Sequence, residues 1–333
     1  MHKRKLGTTG TTVSAIGIGA MSFSNFYGPT DTEQSHAILA MALDLGIDHI
    51  DTANVYGNGA SEERIGSFLK AQGPGRHDLF KIATKAAIRR SDDGQAIFDN
   101  SPKHLSAELD KSLQRLGVDQ VELFYVHRRD PAIPIEDVAE TLAGLVKSGK
   151  IRQFGFSEIA PTSLARAVAV HPVGAVQSEY SLSTRYPELG LVQKTAELGA
   201  TLVAFCPVGR SLLTDTPHTL EKAQAMPFVK ANPRFMEPNL GFNVAATAGF
   251  RTLAADMGLK TSTLAIAWLL HRGDHILPIP GTRSTDHLQE LAQGADVTLS
   301  ASDLAEIDRR LPVGWTHGDR YSAAQWVAPE KYC

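Results

Sequence analysis

Short apolar runs of strand length alternate along the chain with segments whose apolar residues return at helical spacing. The runs cover residues 13–19, 47–51, 79–85, 121–127, 151–157, 174–178, 201–206 and 276–280. Between the first two, Ala37, Ile38, Met41, Ala42 and Leu45 mark one face of a helix, and Gly46 stands where a helix ends. Ser61 reads as an N-cap before Ile65, Phe68 and Leu69. Ser101 and Pro102 read as N-cap and first helical residue, with Leu105, Leu109, Leu113 and Leu116 following before Gly117. A further helix falls around 136–146. Eight runs separated by helices predict parallel βαβ units. An open doubly wound sheet carries the same alternation. Eight is the number that closes a (β/α)8 TIM barrel, and that α/β barrel is the expected fold. The spacing breaks once, between Cys206 and Ile276, where two helices and a polar loop over 207–243 are expected. Loops of that length are uncommon unless functional. A helix after Ser300 and an irregular tail from Pro312 complete a single domain over residues 1–333, which opens with a short N-terminal extension.

Composition narrows the function classes. The formal net charge is -3 with both signs interspersed, so no basic block marks a nucleic-acid partner. No run of about 18 apolar residues predicts a membrane span. Residues 1–5 are basic, but no apolar stretch of a secretory signal follows them. Cys206 and Cys333 make a disulfide framework unlikely on spacing alone, and a reducing, cytoplasmic setting is expected. The histidines lack ligand spacing, so no metal site is expected. Without an extra apolar stripe a monomer is favoured.

Candidate chemistry sits at strand ends, where β/α barrels carry their sites. Asp51 closes the second run, Lys85 the third and His127 the fourth, and Tyr56 lies just after Asp51. Each has an ordinary reading as a cap, loop or solvated residue. Their shared address argues for a site. A phenol titrates near 10, above neutral pH. A neighbouring ammonium lowers it by favouring phenolate, and Lys85 is placed to supply that charge, with Asp51 holding it. His127 would orient a small-molecule carbonyl while Tyr56 hands its oxygen a proton. Lys85 alternatively suits a Schiff base of the aldolase kind.

Anion-binding material follows the seventh and eighth runs. Pro207, Val208, Gly209 and Arg210 form one glycine turn that suits a pyrophosphate. Gly281, Thr282, Arg283 and Ser284 form another at a helix start, where the helix dipole favours phosphate. Arg283 with Ser284 suits the 2′-phosphate of NADPH. Gly17 and Gly19 lack the third glycine of a Rossmann turn, and that reading is rejected.

The segment 51–57 (DTANVYG) with Lys85 and His127 resembles the Asp-Tyr-Lys-His tetrad of the aldo-keto reductase family. Residues 113–119 (LQRLGVD) resemble its helix-to-strand passage before the histidine. The resemblance implies a nicotinamide-dependent reductase that passes hydride from NADPH to a carbonyl. It implies that Ser157 and Gln177 hold the carboxamide and that Phe205 stacks on the ring. It places Met21, His287 and Glu290 at the cofactor, and Phe26, Tyr27 and Arg128 at the substrate mouth, with Trp315 or Trp326 closing it. Glu158 stands where the family usually has Asn, and Leu291 where an Asn is common. Residues 19–22, 27–28 and 318–321 look like the microbial and plant branch that reduces diverse aldehydes. Some proteins that resemble this family are instead regulatory channel subunits that sense nicotinamide.

Overall fold

The structure, a computed structural model, describes residues 1–90 and 96–332. Cys333 lies outside the described residues, and Cys206 is a free thiol. The N-terminal extension is an antiparallel hairpin, β1 (Lys3–Lys5) and β2 (Thr12–Ser14). The barrel follows: β3 (Ile18–Gly19), β4 (His49–Asp51), β5 (Lys81–Ala86), then a second hairpin of β6 (Ile88–Arg90) and β7 (Ala96–Phe98), then β8 (Val121–Val126), β9 (Ile151–Ser157), β10 (Ala175–Glu179), β11 (Thr201–Phe205) and β12 (Ile276–Pro278). Neighbouring barrel strands pair in parallel, in the order β3-β4-β5-β8-β9-β10-β11-β12. Backbone hydrogen bonds from Gly17 to the Pro278 carbonyl and from Gly19 to the Pro280 carbonyl, both 2.9 Å, close the ring. A Cβ on Gly19 would meet the Ile279 carbonyl at 2.6 Å, so this glycine serves the seam of the barrel.

The first apolar run is therefore not one strand. Its start belongs to β2 and its end to β3, because the chain must turn from the barrel floor into the barrel wall. Leu6 and Val13 of this hairpin region are buried with Ala83, Leu123, Val203 and Leu277 inside the barrel. The hairpin thus plugs the N-terminal end. The C-terminal end stays open.

Helices α1 (Thr32–Asp44), α2 (Ala60–Ala71), α3 (Pro102–Leu116), α4 (Ile135–Lys147), α5 (Pro161–Val170) and α6 (Leu191–Glu197) surround the first seven barrel strands. α3 begins at Ser101, whose hydroxyl accepts from the His104 N–H, and ends at Gly117 with φ +67°. Its leucines face the barrel. α2 differs from the expectation: its N-cap is Gly59, and Ser61 instead donates its hydroxyl to the Ala20 carbonyl at 2.8 Å. A buried hydroxyl needs a partner, and here the partner comes from across the barrel rim.

Between β11 and β12 the chain forms four helices rather than two: α7 (Leu220–Gln224), α8 (Asn239–Ala246), α9 (Ala248–Asp256) and α10 (Thr261–Leu270). α7 has five residues, too few to show a period, and α8 and α9 are separated only at Thr247. α10 is buried along its whole length, so it carries no polar stripe. α11 (Thr285–Gln293) and α12 (Ala301–Arg310) follow β12, the latter opened by a capping box of Ser300 and Asp303.

Candidate active site

The parallel register brings the ionisable residues together. Asp51 of β4 pairs with Ala83 of β5. Lys85 lies two residues further along and so projects from the same face. Its ammonium ion-pairs with Asp51, donates to the Thr52 carbonyl at 2.9 Å and donates to the Tyr56 hydroxyl at 3.3 Å. Lys85 is fully buried and Asp51 is 1% exposed, so each needs the other to stay charged. Gln177 of β10 donates its amide to the second Asp51 oxygen at 2.7 Å. This further support for Asp51 was not legible in the sequence.

Tyr56 is carried by a turn in which Gly57, Asn58 and Gly59 all have positive φ. Its half-buried ring packs edge-on against His127 (centroids 5.8 Å apart) and Phe26 (6.5 Å). His127 follows β8, and its N–H is anchored on the Ala86 carbonyl at 2.8 Å.

Burial and the Asp51 carboxylate push the Tyr56 phenol well above its ordinary range, while Arg128 pulls it down. The sequence expectation was that Lys85 would lower it. Desolvation of the phenolate outweighs any such help, so the hydroxyl stays protonated. Burial, then Arg128 and Lys85, hold His127 well below its usual range as a neutral imidazole. Burial likewise lowers Lys85, with Asp51 opposing.

These groups form the floor of a cleft of about 1940 Å3 at the open end of the barrel. That exceeds the roughly 300–1,000 Å3 of a single small-ligand pocket, which leaves room for a cofactor and a substrate side by side. Asp51, Tyr56 and His127 line it, and so do Met21, Phe26, Tyr27 and Arg128. Ser157, Gln177 and Phe205 line the next strand ends. Lys85 is not at the cleft surface. Its amine is fully buried and engages three oxygen atoms, which disfavours the Schiff-base alternative.

The two glycine turns follow the adjacent strands β11 and β12. Gly281 packs so closely on the Gly19 carbonyl that a Cβ would sit 2.6 Å from it, so this glycine too serves the seam of the barrel. Thr282, Arg283 and Ser284 line the cleft there, and Ser284 caps α11 by accepting from the His287 N–H. His287 and Glu290 line the cleft from the first turns of that helix. Arg283 donates to the Pro29 carbonyl at 2.7 Å and has no carboxylate within 4 Å among the described residues. Pro207 and Val208 line the cleft after β11, and Gly209 beside them is buried.

Three expectations change. Arg210 lines the cleft, but its guanidinium is ion-paired with Glu179 at 2.8 Å instead of standing unpaired for a pyrophosphate. Burial selects the pair, since Arg210 and Glu179 are both enclosed. Trp315 and Trp326 do not line the cleft. Trp315 donates to the Leu182 carbonyl, and Trp326 packs on Arg320 and Tyr321. The tail lines it instead with Tyr321, Ala324, Gln325 and Ala328; the segment 318–321 stood out only by its resemblance to one branch of the family, which did not place Tyr321 at the cleft. Glu158 has φ +59° and turns away from the cleft: it ion-pairs with Arg320 and accepts from the Glu179 N–H at 2.9 Å. Asp215, also missed, accepts from the N–H of Thr261 at 3.0 Å and so ties the long loop to the start of α10.

A profile of the aldo/keto reductase family matches residues 15–311. An aldo-keto reductase of Schizosaccharomyces pombe, named for NADP(+), is 37% identical over 96% of this chain and 94% of its own length. A probable aldo-keto reductase of Glycine max is 36% identical over 95% and 91%. Among solved structures, a glycerol dehydrogenase from Gluconobacter oxydans superposes with a TM-score of 0.81 at 26% identity, covering 93% of this chain and 94% of that one. An aldo-keto reductase from Bacillus halodurans superposes with a TM-score of 0.78 at 25% identity, covering 98% and 99%.

Proposed function

The chain belongs to the aldo/keto reductase family, and from that premise we propose that it reduces the carbonyl of an aldehyde or ketone at the expense of NADPH, with Tyr56 as the proton donor. The observation that carries the reading is the Tyr56 hydroxyl, 3.3 Å from the Lys85 ammonium, on the floor of a cleft large enough for two ligands.

When bound, the dinucleotide supplies the hydride. The start of α11 suits its phosphates, and Arg283 suits a 2′-phosphate. Ser157, Gln177 and Phe205 stand where the family resemblance places the nicotinamide. Gln177 keeps one amide hydrogen on Asp51, and its carbonyl can accept from a ligand.

The chain's own residues then divide the proton chemistry. The substrate oxygen accepts from the Tyr56 hydroxyl and from the neutral His127 imidazole. The proton leaves Tyr56 Oη for that oxygen as negative charge develops there. The phenolate left behind is met by the Lys85 ammonium, an interaction stronger after transfer than before it. Asp51 keeps Lys85 charged in a site where burial works against the ammonium. His127 is neutral, so it orients the carbonyl without competing as an acid.

NADPH oxidation with a panel of aromatic and aliphatic aldehydes and ketones tests this, run for the wild type and Tyr56→Phe. Turnover by the wild type is expected, with kcat about 10²–10⁴-fold lower in the variant and NADPH binding retained. An inert wild type, or a variant as fast as the wild type, overturns the reading.

A further inference from the structure

Arg128 is the residue after His127 and lines the cleft, half-buried. Its Nη1 donates to the His127 carbonyl at 2.7 Å and to Ser157 Oγ at 3.0 Å, and its Nη2 donates to Tyr321 Oη at 3.4 Å. All three acceptors are neutral. The other guanidiniums of this wall have carboxylates: Arg210 and Arg234 meet Glu179, Arg320 meets Glu158, and Arg129 meets Glu330. Arg128 has none within 4 Å among the described residues. The wall therefore holds five guanidiniums against three carboxylates, and the unneutralised charge is at the cleft surface.

The geometry of the unused donors matters as much as the charge. A guanidinium has five N–H groups. Three are occupied here, and the two left are Nε–H and one N–H of Nη2. Both are donors of the kind a guanidinium offers to a carboxylate. The three occupied donors fix the plane of the group, so its orientation is set before a ligand arrives. A charge in a cleft with apolar walls acts over a longer range than it would in water.

We infer that Arg128 is a specificity-determining residue that binds a carboxylate carried by the carbonyl substrate, which makes oxo acids and formyl acids the preferred substrate class. This rests on the carbonyl-reductase reading above. In it, the substrate carbonyl meets Tyr56 and His127 while its acid group meets the unused N–H donors of Arg128.

The test compares 4-carboxybenzaldehyde with its methyl ester, which differ chiefly in charge. Wild-type kcat/KM is expected to favour the acid by tenfold or more, on the order of one charge-assisted contact, with the difference in KM. Arg128→Gln is expected to bring the ratio near one, and Arg128→Lys to recover part of it. The binding of 4-(hydroxymethyl)benzoate and of its methyl ester to the enzyme–NADP+ complex, measured by calorimetry, is expected to show the same preference and the same dependence on Arg128. A wild-type ratio near one, or a ratio kept in Arg128→Gln, overturns the inference, and the wild-type ratio needs no variant to fold. If neither aldehyde is reduced, the reductase reading fails, and the calorimetric ratio still decides the role of Arg128.

Discussion

At the cleft floor one ammonium meets one carboxylate; behind β9 and β10 three guanidiniums meet two. Lys85 and Asp51 form the first group, and Arg210, Arg234 and Arg320 with Glu158 and Glu179 form the second. Both are almost wholly shielded from solvent. They differ in what their hydrogen bonds reach. The floor pair turns an N–H toward Tyr56, a group on the cleft surface. The wall cluster turns inward and to the tail. Arg320 belongs to that tail, Glu330 donates its N–H to the Glu158 carbonyl at 2.9 Å, and the Ala160 N–H donates to the Glu330 carboxylate at 2.8 Å. In the proposed mechanism the floor stabilises a charge that appears during reaction. The wall is built to hold charges that never change, and it fastens the C-terminal segment across the barrel rim, bringing Tyr321 to the cleft. Burial alone does not mark an ionic group as catalytic; what its remaining hydrogen bonds reach does.

The largest change in stability is expected where the wall is broken. Glu179→Gln leaves guanidiniums buried without their shared carboxylate and is expected to lower the unfolding free energy by about 3–5 kcal/mol. Urea denaturation measures this, and a loss below about 1 kcal/mol shows that the cluster does not depend on Glu179. Next in size is an effect at Arg283, which belongs to neither ionic group. Arg283→Ala is expected to weaken NADPH binding by about 1.5–3 kcal/mol while leaving NADH nearly unchanged. Equal losses for the two cofactors remove Arg283 from the 2′-phosphate.

The smallest effect separates the two regions by pH. The floor includes neutral His127, and His49 is neutral and buried nearby. Below the unfolded histidine range, near 6.5, the unfolded chain takes protons that these folded imidazoles refuse. Stability is therefore expected to be flat above about pH 6.5 and to fall below it, approaching about 1.4 kcal/mol per pH unit for each histidine. Glu158, held below its ordinary range by Arg320 against the effect of burial, adds loss only at more acid pH. Urea midpoints at pH 8.0, 6.5 and 5.5 check the sign. Identical midpoints refute it, and His127→Asn should flatten part of the slope.

The difference between the two regions is also a difference in legibility. Asp51 ends β4, Lys85 is the last residue but one of β5 and His127 follows β8 directly, and parallel strands in register bring their ends to one rim. Knowing the strands was enough to place the groups. The glycine turns after β11 and β12 were legible for the same reason. The wall cluster draws on residues 158, 179, 210, 234 and 320, from two strand ends, two loops and the tail, and no spacing links them. Glu158 stood out as a departure from a familiar pattern, but its partner Arg320 is 162 residues away. The long segment after β11 was misread in part because α10 is buried on every side and α7 is a single short turn, so neither offers a periodic stripe.

The chain alone showed the alternation of strands and helices, which favoured the barrel, and the groups near the strand ends, because hydrophobic period is a local property. The directions of the charges were settled only in three dimensions: that burial raises the Tyr56 phenol, that Arg210 is committed to Glu179, and that Arg128 has no carboxylate within 4 Å among the described residues. Those depend on burial and on partners contributed from distant parts of the chain, and desolvation and pairing are settled only when the whole surface has closed.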